Sequence, residues 1–363
     1  MKKVGLITFH SSHNYGAMLQ AYALQKTFLD LGVDCKIIHY RTPKMVNDYA
    51  IFKKGKSPRT IAKNVLNVLR YGAFKRKHKR FENFIQENLV ITRRYSSLAE
   101  LLLSPPGMDL YVTGSDQVWN GVGVLKDAYF LPFAEKNSKK VSYAASFGDN
   151  MPNEKNTKRI AMYLKDFAKI SVREEAAKEY LEECVGVECC QTPDPVFLLK
   201  KQEWLGFTES VSEKTPYIFC YCLVKESRIQ QVIDEIKKRT GLKVVTLSDG
   251  IKPNIKANRV YYDAGPKEFL SLLKGAAFVV TDSFHGTAFS LLLEKQFISV
   301  ARKNRSKRID SLLKQFGEQK RFISNSSEID LTSIEYQEKK GVFDNLRNIG
   351  LRYIQLCVNE DKM

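Results

Sequence analysis

No run of apolar residues in this chain approaches the ~20 that a helix needs to cross a bilayer. The first such run, Val4 to Phe9, follows Lys2-Lys3 but is too short for a secretory h-region and carries no small-residue cleavage site, so it reads as a strand. Cysteine is scarce, at seven in 363 residues. Cys35, Cys184, Cys189, Cys190, Cys220, Cys222 and Cys357 show neither a disulfide framework nor zinc-ligand spacing, which excludes a small stapled domain and points to reduced thiols in the cytoplasm. The dinucleotide fingerprint G-x-G-x-x-G is missing, and nothing resembles a helix-turn-helix, a zinc finger or an RNA-binding aromatic signature. There is no internal repeat and no low-complexity segment. Acidic residues are absent between Asp48 and Glu82, where eleven Lys or Arg occur.

That last absence locates part of the formal net charge of +18. Within the basic stretch Ile61, Val65, Val68 and Leu69 fall on one helical face, and further on Phe81, Ile85 and Leu89 do the same. The stretch therefore reads as a pair of basic amphipathic helices, with apolar faces expected to pack on the domain. The basic faces, over residues 53 to 80, are expected to meet an anionic membrane or a lipid-linked diphosphate rather than nucleic acid. The chain would then be cytoplasmic, at the inner face of the cell membrane.

Elsewhere strand and helix alternate. Val4 to Phe9, a helix from Gly16 to Leu31 and a strand from Cys35 to His39 form a βαβ start, which implies a parallel sheet with right-handed crossover. Strands at Leu110 to Thr113, Val141 to Ala145 and Ile170 to Val172 follow. Pro193-Asp194-Pro195 reads as a hinge. Beyond it the pattern restarts, with strands at Tyr217 to Leu223, Lys243 to Leu247, Ala277 to Val280 and Phe297 to Val300 and helices between them. The expected fold class is α/β, with two doubly wound Rossmann-like domains facing a cleft. Residues 1–193 form the first domain, with the basic helices (about 50–92) inserted in it. Residues 194–340 form the second, and the helix in 341–363 packs back toward the first.

Ligands of such sheets bind at the carboxyl ends of the strands, so the polar strand-to-helix loops are the candidate sites. The sharpest is Thr281-Asp282-Ser283-Phe284-His285-Gly286. His285 and Gly286 stand at a helix N-terminus, where backbone N–H groups and the helix dipole favour an anion. An imidazole there reads as a reaction centre, against the alternative of a satisfied structural histidine. The first loop carries His10, Ser11, Ser12, His13, Asn14, Tyr15 and Gly16, which suit sugar hydroxyls or form a polar connection capped by Asn14. Asp116, Gln117, Trp119 and Asn120 combine a carboxylate, amides and an aromatic ring, the equipment for holding a carbohydrate. Taken alone, Trp119 as a core residue and Asp116 as a turn cap explain them better. Arg173, between strand and helix, suits bidentate contact with a carboxylate or phosphate, or else an ion pair with Glu174, Glu175 or a neighbour. Lys303, Arg305, Lys307 and Arg308 complete an anion pocket or form a solvated cluster, and for most of them the solvated reading is stronger.

These elements in this order resemble the polysaccharide pyruvyl transferase family. The resemblance rests on Asn14-Tyr15-Gly16 with Leu19 to Leu24, Gly114 to Asn120, Ser146-Phe147-Gly148, Val172-Arg173-Glu174, Asp194-Pro195 and Asp282 to Gly286. It implies a GT-B-like fold, phosphoenolpyruvate as donor, and a sugar of a surface or capsular polysaccharide, or its undecaprenyl-diphosphate-linked precursor, as acceptor. It maps the donor-site histidine and arginine onto His285 and Arg173. No cofactor and no metal is expected. On this reading the enzyme is a pyruvyltransferase in which His285, Arg173 and Asp116 act on the reaction. Asn14, Tyr15, Gly16, His13, Gln117, Trp119, Asn120, Ser146, Ser283, Gly286 and Arg308 bind the substrates. Two rivals are a GT-B glycosyltransferase using a nucleotide sugar, with Glu294 at the donor ribose, and a non-catalytic basic protein binding membrane or nucleic acid.

Overall fold

A computed structural model describes residues 1–55, 57–121, 125–149, 151–209, 213–303 and 307–359. The chain divides into two compact units. Unit 1 holds residues 1–48, 85–199 and 343–363, and unit 2 holds residues 49–84 and 200–342.

Chain order begins with β1 (Lys3–Ile7), α1 (Tyr15–Asp30), β2 (Asp34–Tyr40) and α2 (Pro43–Tyr49). The basic helices follow as α3 (Pro58–Val68) and α4 (Tyr71–Asn88). Next come β3 (Ile91–Tyr95), α5 (Leu98–Leu103), β4 (Leu110–Thr113), β5 (Lys139–Ser142), α6 (Glu154–Leu164), β6 (Ser171–Val172), α7 (Glu175–Tyr180) and β7 (Cys190–Gln191). Unit 1 builds an all-parallel sheet in the order β3-β2-β1-β4-β5, and β6 and β7 continue it through bridges such as Ala145 to Val172. Strand order turns around between β1 and β4, where Ile7 lies opposite Thr113. The two central strands, β1 and β4, are buried on both faces, as the apolar run Val4, Leu6 and Ile7 (0% exposed) requires. Gly114 (φ +123°) allows the close backbone approach after β4, since a Cβ there would lie 2.1 Å from the Tyr143 carbonyl oxygen.

Unit 2 continues with α8 (Lys201–Leu205), β8 (Tyr217–Tyr221), α9 (Ser227–Thr240), β9 (Lys243–Leu247), β10 (Arg259–Tyr261) and α10 (Pro266–Gly275). It ends with β11 (Phe278–Thr281), α11 (Phe284–Leu292), β12 (Phe297–Val300), α12 (Lys307–Gln315) and β13 (Phe322–Ile323). Its sheet, also all parallel, runs β10-β9-β8-β11-β12-β13 and turns around between β8 and β11. Ile218, Val280, Ile298, Ile229 and Val232 fill one side of this sheet. The last helix, α13 (Lys340–Asn359), packs in unit 1, where Tyr353 donates its hydroxyl hydrogen to the Ser142 carbonyl at 2.8 Å.

Three expectations change. Residues 49–84, read as an insertion of the first domain, fold with unit 2. Arg76 and Arg80 of α4 pair with Asp263, Lys77 pairs with Asp249, and Arg70 lies 3.9 Å over the Tyr262 ring. The hinge read at Pro193-Asp194-Pro195 is interior to unit 1, whose segment runs on to Leu199. Asp194 is buried there, capping the turn Pro195–Leu198 through the Val196 N–H. Finally, α3 and α4 treat their apolar faces oppositely. Phe74, Phe81, Phe84 and Ile85 of α4 are buried, whereas Ile61, Val65 and Val68 of α3, and Leu69 just after it, face solvent. Among the described residues no helix is long and apolar enough to cross a membrane.

Candidate active site

Each unit presents its polar loops where its strand order turns around, at the carboxyl ends of the strands. In unit 2, β11 ends at Thr281 and α11 starts at Phe284, so two residues make the turn. Ser283 caps α11, its Oγ accepting the Gly286 N–H at 3.4 Å. Thr281 holds the turn from below. Its hydroxyl donates to the Tyr221 carbonyl at 2.6 Å and accepts the Ser283 N–H at 3.1 Å. Thr287 donates to the Ser283 carbonyl at 3.0 Å and meets Ser299 of β12 at 2.7 Å.

Asp282 ties the two central strands of unit 2 together. Its carboxylate accepts the N–H of Leu223 at 2.7 Å and of Val224 at 3.1 Å, both just past β8, and the Arg302 guanidinium at 3.3 Å. Burial pushes its carboxyl above the usual range, and Arg302 with the two N–H groups offsets only part of that. Asp282 is therefore a clamp on the switch point rather than a solvent-ready acid.

His285 sits in the first turn of α11, buried, with its ring edge-on to Phe284 at 5.4 Å. Gly286 has a packing reason of its own, since a Cβ there would lie 2.2 Å from the Thr281 Oγ1. Arg308 is buried on α12. Arg305 lies outside the described residues. Glu294 follows α11 at its carboxyl end, which returns to the amino edge of the sheet before β12, and it pairs with Lys201. That places it away from the strand ends where a donor ribose would bind, against the expectation for a nucleotide-sugar enzyme.

In unit 1, Asn14 caps α1 by accepting the Ala17 N–H at 3.0 Å. Tyr15 and Gly16 are buried in the first turn, and His13 is half-buried before them. Gln20 joins the ends of β1 and β4. Its amide nitrogen donates to the Thr8 hydroxyl at 2.8 Å and its oxygen accepts the Ser115 N–H at 3.2 Å. His10 meets His39 ring to ring, Nε2 to Nδ1 at 2.8 Å. The hydroxyls of Ser11 and Ser12 are buried and find no hydrogen-bond partner among the described residues. Such groups are costly unless something else satisfies them.

Asp116, Gln117, Asn120, Ser146 and Arg173 meet in one network. The Ser146 N–H donates to the Asp116 carbonyl at 3.1 Å, and the Ser146 carbonyl accepts the Trp119 N–H at 3.2 Å. Asn120 donates to Gln117 at 3.0 Å. Ser146 donates its hydroxyl hydrogen to Glu174 Oε1 at 2.6 Å, and the same oxygen accepts Arg173 Nε–H at 2.9 Å. Arg173 Nη1 donates to Asp194 at 2.6 Å. Burial works against the Arg173 charge, but Glu174, Asp194 and Asp116 outweigh it and hold the guanidinium above its ordinary range. Asp116, half-exposed, has φ +65°, a conformation that a short polar side chain tolerates better than most.

Trp119 does not face a sugar. It is fully buried, stacked on Phe130 at 5.4 Å with 6° between the planes, and its indole N–H donates to the Tyr129 carbonyl at 3.0 Å. The ion pair of Arg173 with Glu174, the alternative read from the sequence, is present, whereas the link from Glu174 to Ser146 and the role of Gln20 as an organiser were missed. Glu174 Oε2 is buried without a hydrogen-bond partner among the described residues. The sequence signal for Glu174 was its place beside Arg173 at a strand end, and for Gln20 a polar residue inside an apolar helix.

The family model for polysaccharide pyruvyl transferase matches residues 14–304. No curated protein sequence matches the chain. Solved structures similar in fold include UDP-GlcNAc 2-epimerase from Methanocaldococcus jannaschii in complex with UDP-GlcNAc and UDP, at 14% identity, 99% of each chain covered and a TM-score of 0.54. A glycosyltransferase from Rickettsia africae aligns at 10% identity over 99% of each chain, TM-score 0.53. UDP-GlcNAc 2-epimerase from Neisseria meningitidis bound to UDP-GlcNAc aligns at 11% identity over 99% of this chain and 100% of that one, TM-score 0.51. At such identities the likeness is one of fold, two parallel-sheet α/β units of the GT-B kind.

Proposed function

The chain belongs to the polysaccharide pyruvyl transferase family, and from that premise we propose that it transfers the pyruvyl moiety of phosphoenolpyruvate to two hydroxyls of one sugar as a cyclic ketal. The acceptor in this reading is a surface or capsular polysaccharide precursor carried on a lipid diphosphate. The observation that carries the proposal is the β11–α11 turn, a buried imidazole in the first turn of a helix at the strand-order reversal of unit 2.

The reaction needs three things. The methylene carbon of phosphoenolpyruvate gains a proton, which leaves C2 electron-poor. A sugar hydroxyl then attacks C2 and gives up its proton, offsetting the one gained. Last, the C2–O bond to phosphate breaks, and the second hydroxyl closes the ring as its proton leaves with phosphate. In the proposal His285 supplies or relays the first proton, a task suited to imidazole near neutral pH. The start of α11 around Ser283, with Arg308, receives the phosphate, since helix N-termini favour anions. Asp116 orients or deprotonates the acceptor hydroxyl, with Gln117 and Asn120 beside it. Arg173 is assigned as a positioning residue that holds Glu174, and through it the Ser146 and Asp116 loops.

Phosphoenolpyruvate at a hundredfold excess over its Kd should stabilise the chain by about 2.7 kcal/mol, read as a rise in Tm, and nucleotide sugars should not. Inorganic phosphate should appear when a glycan diol is added. His285→Ala should lower kcat/KM by about 10²–10⁴-fold while the variant melts cooperatively. Full activity in that variant, or stabilisation by a nucleotide sugar alone, would refute the assignment.

A further inference from the structure

Helix α3 is built inside out. Ile61, Val65, Val68 and Leu69 share one face by their spacing and are 53, 64, 63 and 78% exposed. The protein holds the helix by amide side chains instead. Asn67, buried, donates to the Ile51 carbonyl at 2.6 Å. Asn64 accepts the Lys53 N–H and donates to the Lys53 carbonyl, each at 3.0 Å. Four branched apolar side chains on one exposed face are a surface in want of a partner.

The surrounding charge says which kind. Eleven Lys or Arg and no acid lie between Asp48 and Glu82, and Lys54, Lys63, Arg70, Lys75 and Lys79 are exposed. A second copy of the chain on this face would set that charge against itself. Nucleic acid would neutralise the charge but leave the apolar residues in water. A bilayer surface rich in anionic lipid satisfies both, since its phosphates meet the cations and its acyl boundary takes the apolar face.

We propose that α3 is a membrane-docking helix that lies in the plane of an anionic bilayer with Ile61, Val65, Val68 and Leu69 inserted. The inference does not depend on the transfer chemistry, and its test contains no substrate. The intact chain should sediment with vesicles of phosphatidylglycerol and phosphatidylcholine, much less with phosphatidylcholine alone, and less as salt rises. The double variant Val65→Ser/Leu69→Ser should bind about tenfold more weakly, with unchanged Tm because both positions are exposed. Both native tryptophans, Trp119 and Trp204, are fully buried, so the reporter variant Leu69→Trp should show a blue shift on adding the anionic vesicles. The proposal is overturned by absence of vesicle binding at low salt, by equal binding of the double variant, or by an unshifted emission. It is equally overturned if Val65→Ser/Leu69→Ser abolishes a dimer formed without lipid, which would assign the face to a second copy.

Discussion

At the scale of single residues, the side chains with the most suggestive chemistry split between reaction and architecture, and burial decides between them. Trp119 belongs to architecture, because an indole stacked on Phe130 and bonded to the Tyr129 carbonyl has no face left for a sugar. Arg173 is more instructive. Two of its nitrogens are held by Glu174 and Asp194, and all three side chains are buried. Removing one partner from such a group strands buried charge of the opposite sign, which costs roughly 3–5 kcal/mol. Arg173→Ala should therefore lower the urea midpoint by that equivalent at neutral pH, with or without phosphoenolpyruvate present. A residue used only to clamp donor would leave the unliganded midpoint nearly unchanged and raise KM instead. An unaltered midpoint would thus remove the positioning role and return Arg173 to the donor site.

Elements bring a different constraint, the distance between a helix and the strand that feeds it. The β11–α11 turn is two residues long, so α11 starts close over Thr281, and Gly286 is the residue that permits it. A Cβ at 2.2 Å from Thr281 Oγ1 forces the turn to shift, and overpacking of this kind typically costs about 1–3 kcal/mol. Gly286→Ala should lose stability in that range and also displace His285. Thr281→Ala alone should lose stability too, because its hydroxyl serves the Tyr221 carbonyl and the Ser283 N–H. The pair combined should be less damaging than the sum, since removing Oγ1 opens the space that the new methyl needs. Strict additivity in thermal melts would mean that Gly286 answers to something other than this contact. The basic helices teach the converse. Their 3.6-residue periodicity was plain in the sequence, but periodicity reports that a helix is amphipathic and not which face turns inward. For α4 the apolar stripe packs, and for α3 two asparagines take its place.

For the molecule as a whole, the βα alternation, both parallel sheets and the strand-to-helix loops were legible, because buried parallel strands are nearly continuous apolar runs and the loops are where polarity concentrates. The short edge strands β3, β10 and β13 were not, since Ile91–Tyr95 and Arg259–Tyr261 mix exposed arginine with apolar residues and gain their pairing only from a neighbour already in place. Nor were the partners of Arg173 beyond Glu174, because Asp194 lies 21 residues away and only the fold brings it within reach. The cysteines test the reduced character read from the sequence over both units at once. All seven are thiols outside any disulfide, with Cys35, Cys189, Cys220, Cys222 and Cys357 buried and Cys184 and Cys190 exposed. Burial raises the thiols of Cys35, Cys220 and Cys222 far above their usual range and pushes Cys189 up to about 12. It raises Cys190 as well, despite the exposure of that residue. Since the thiolate is the reactive form, an aromatic disulfide reagent at pH 8 should modify Cys184 first and Cys190 more slowly, and the buried five only after denaturation, when seven thiols titrate in total. Fewer than seven under denaturing, non-reducing conditions would mean that a disulfide forms. Rapid native reaction of Cys220 or Cys222 would mean that the β8 strand end, and with it the switch point that Asp282 clamps, is open to solvent.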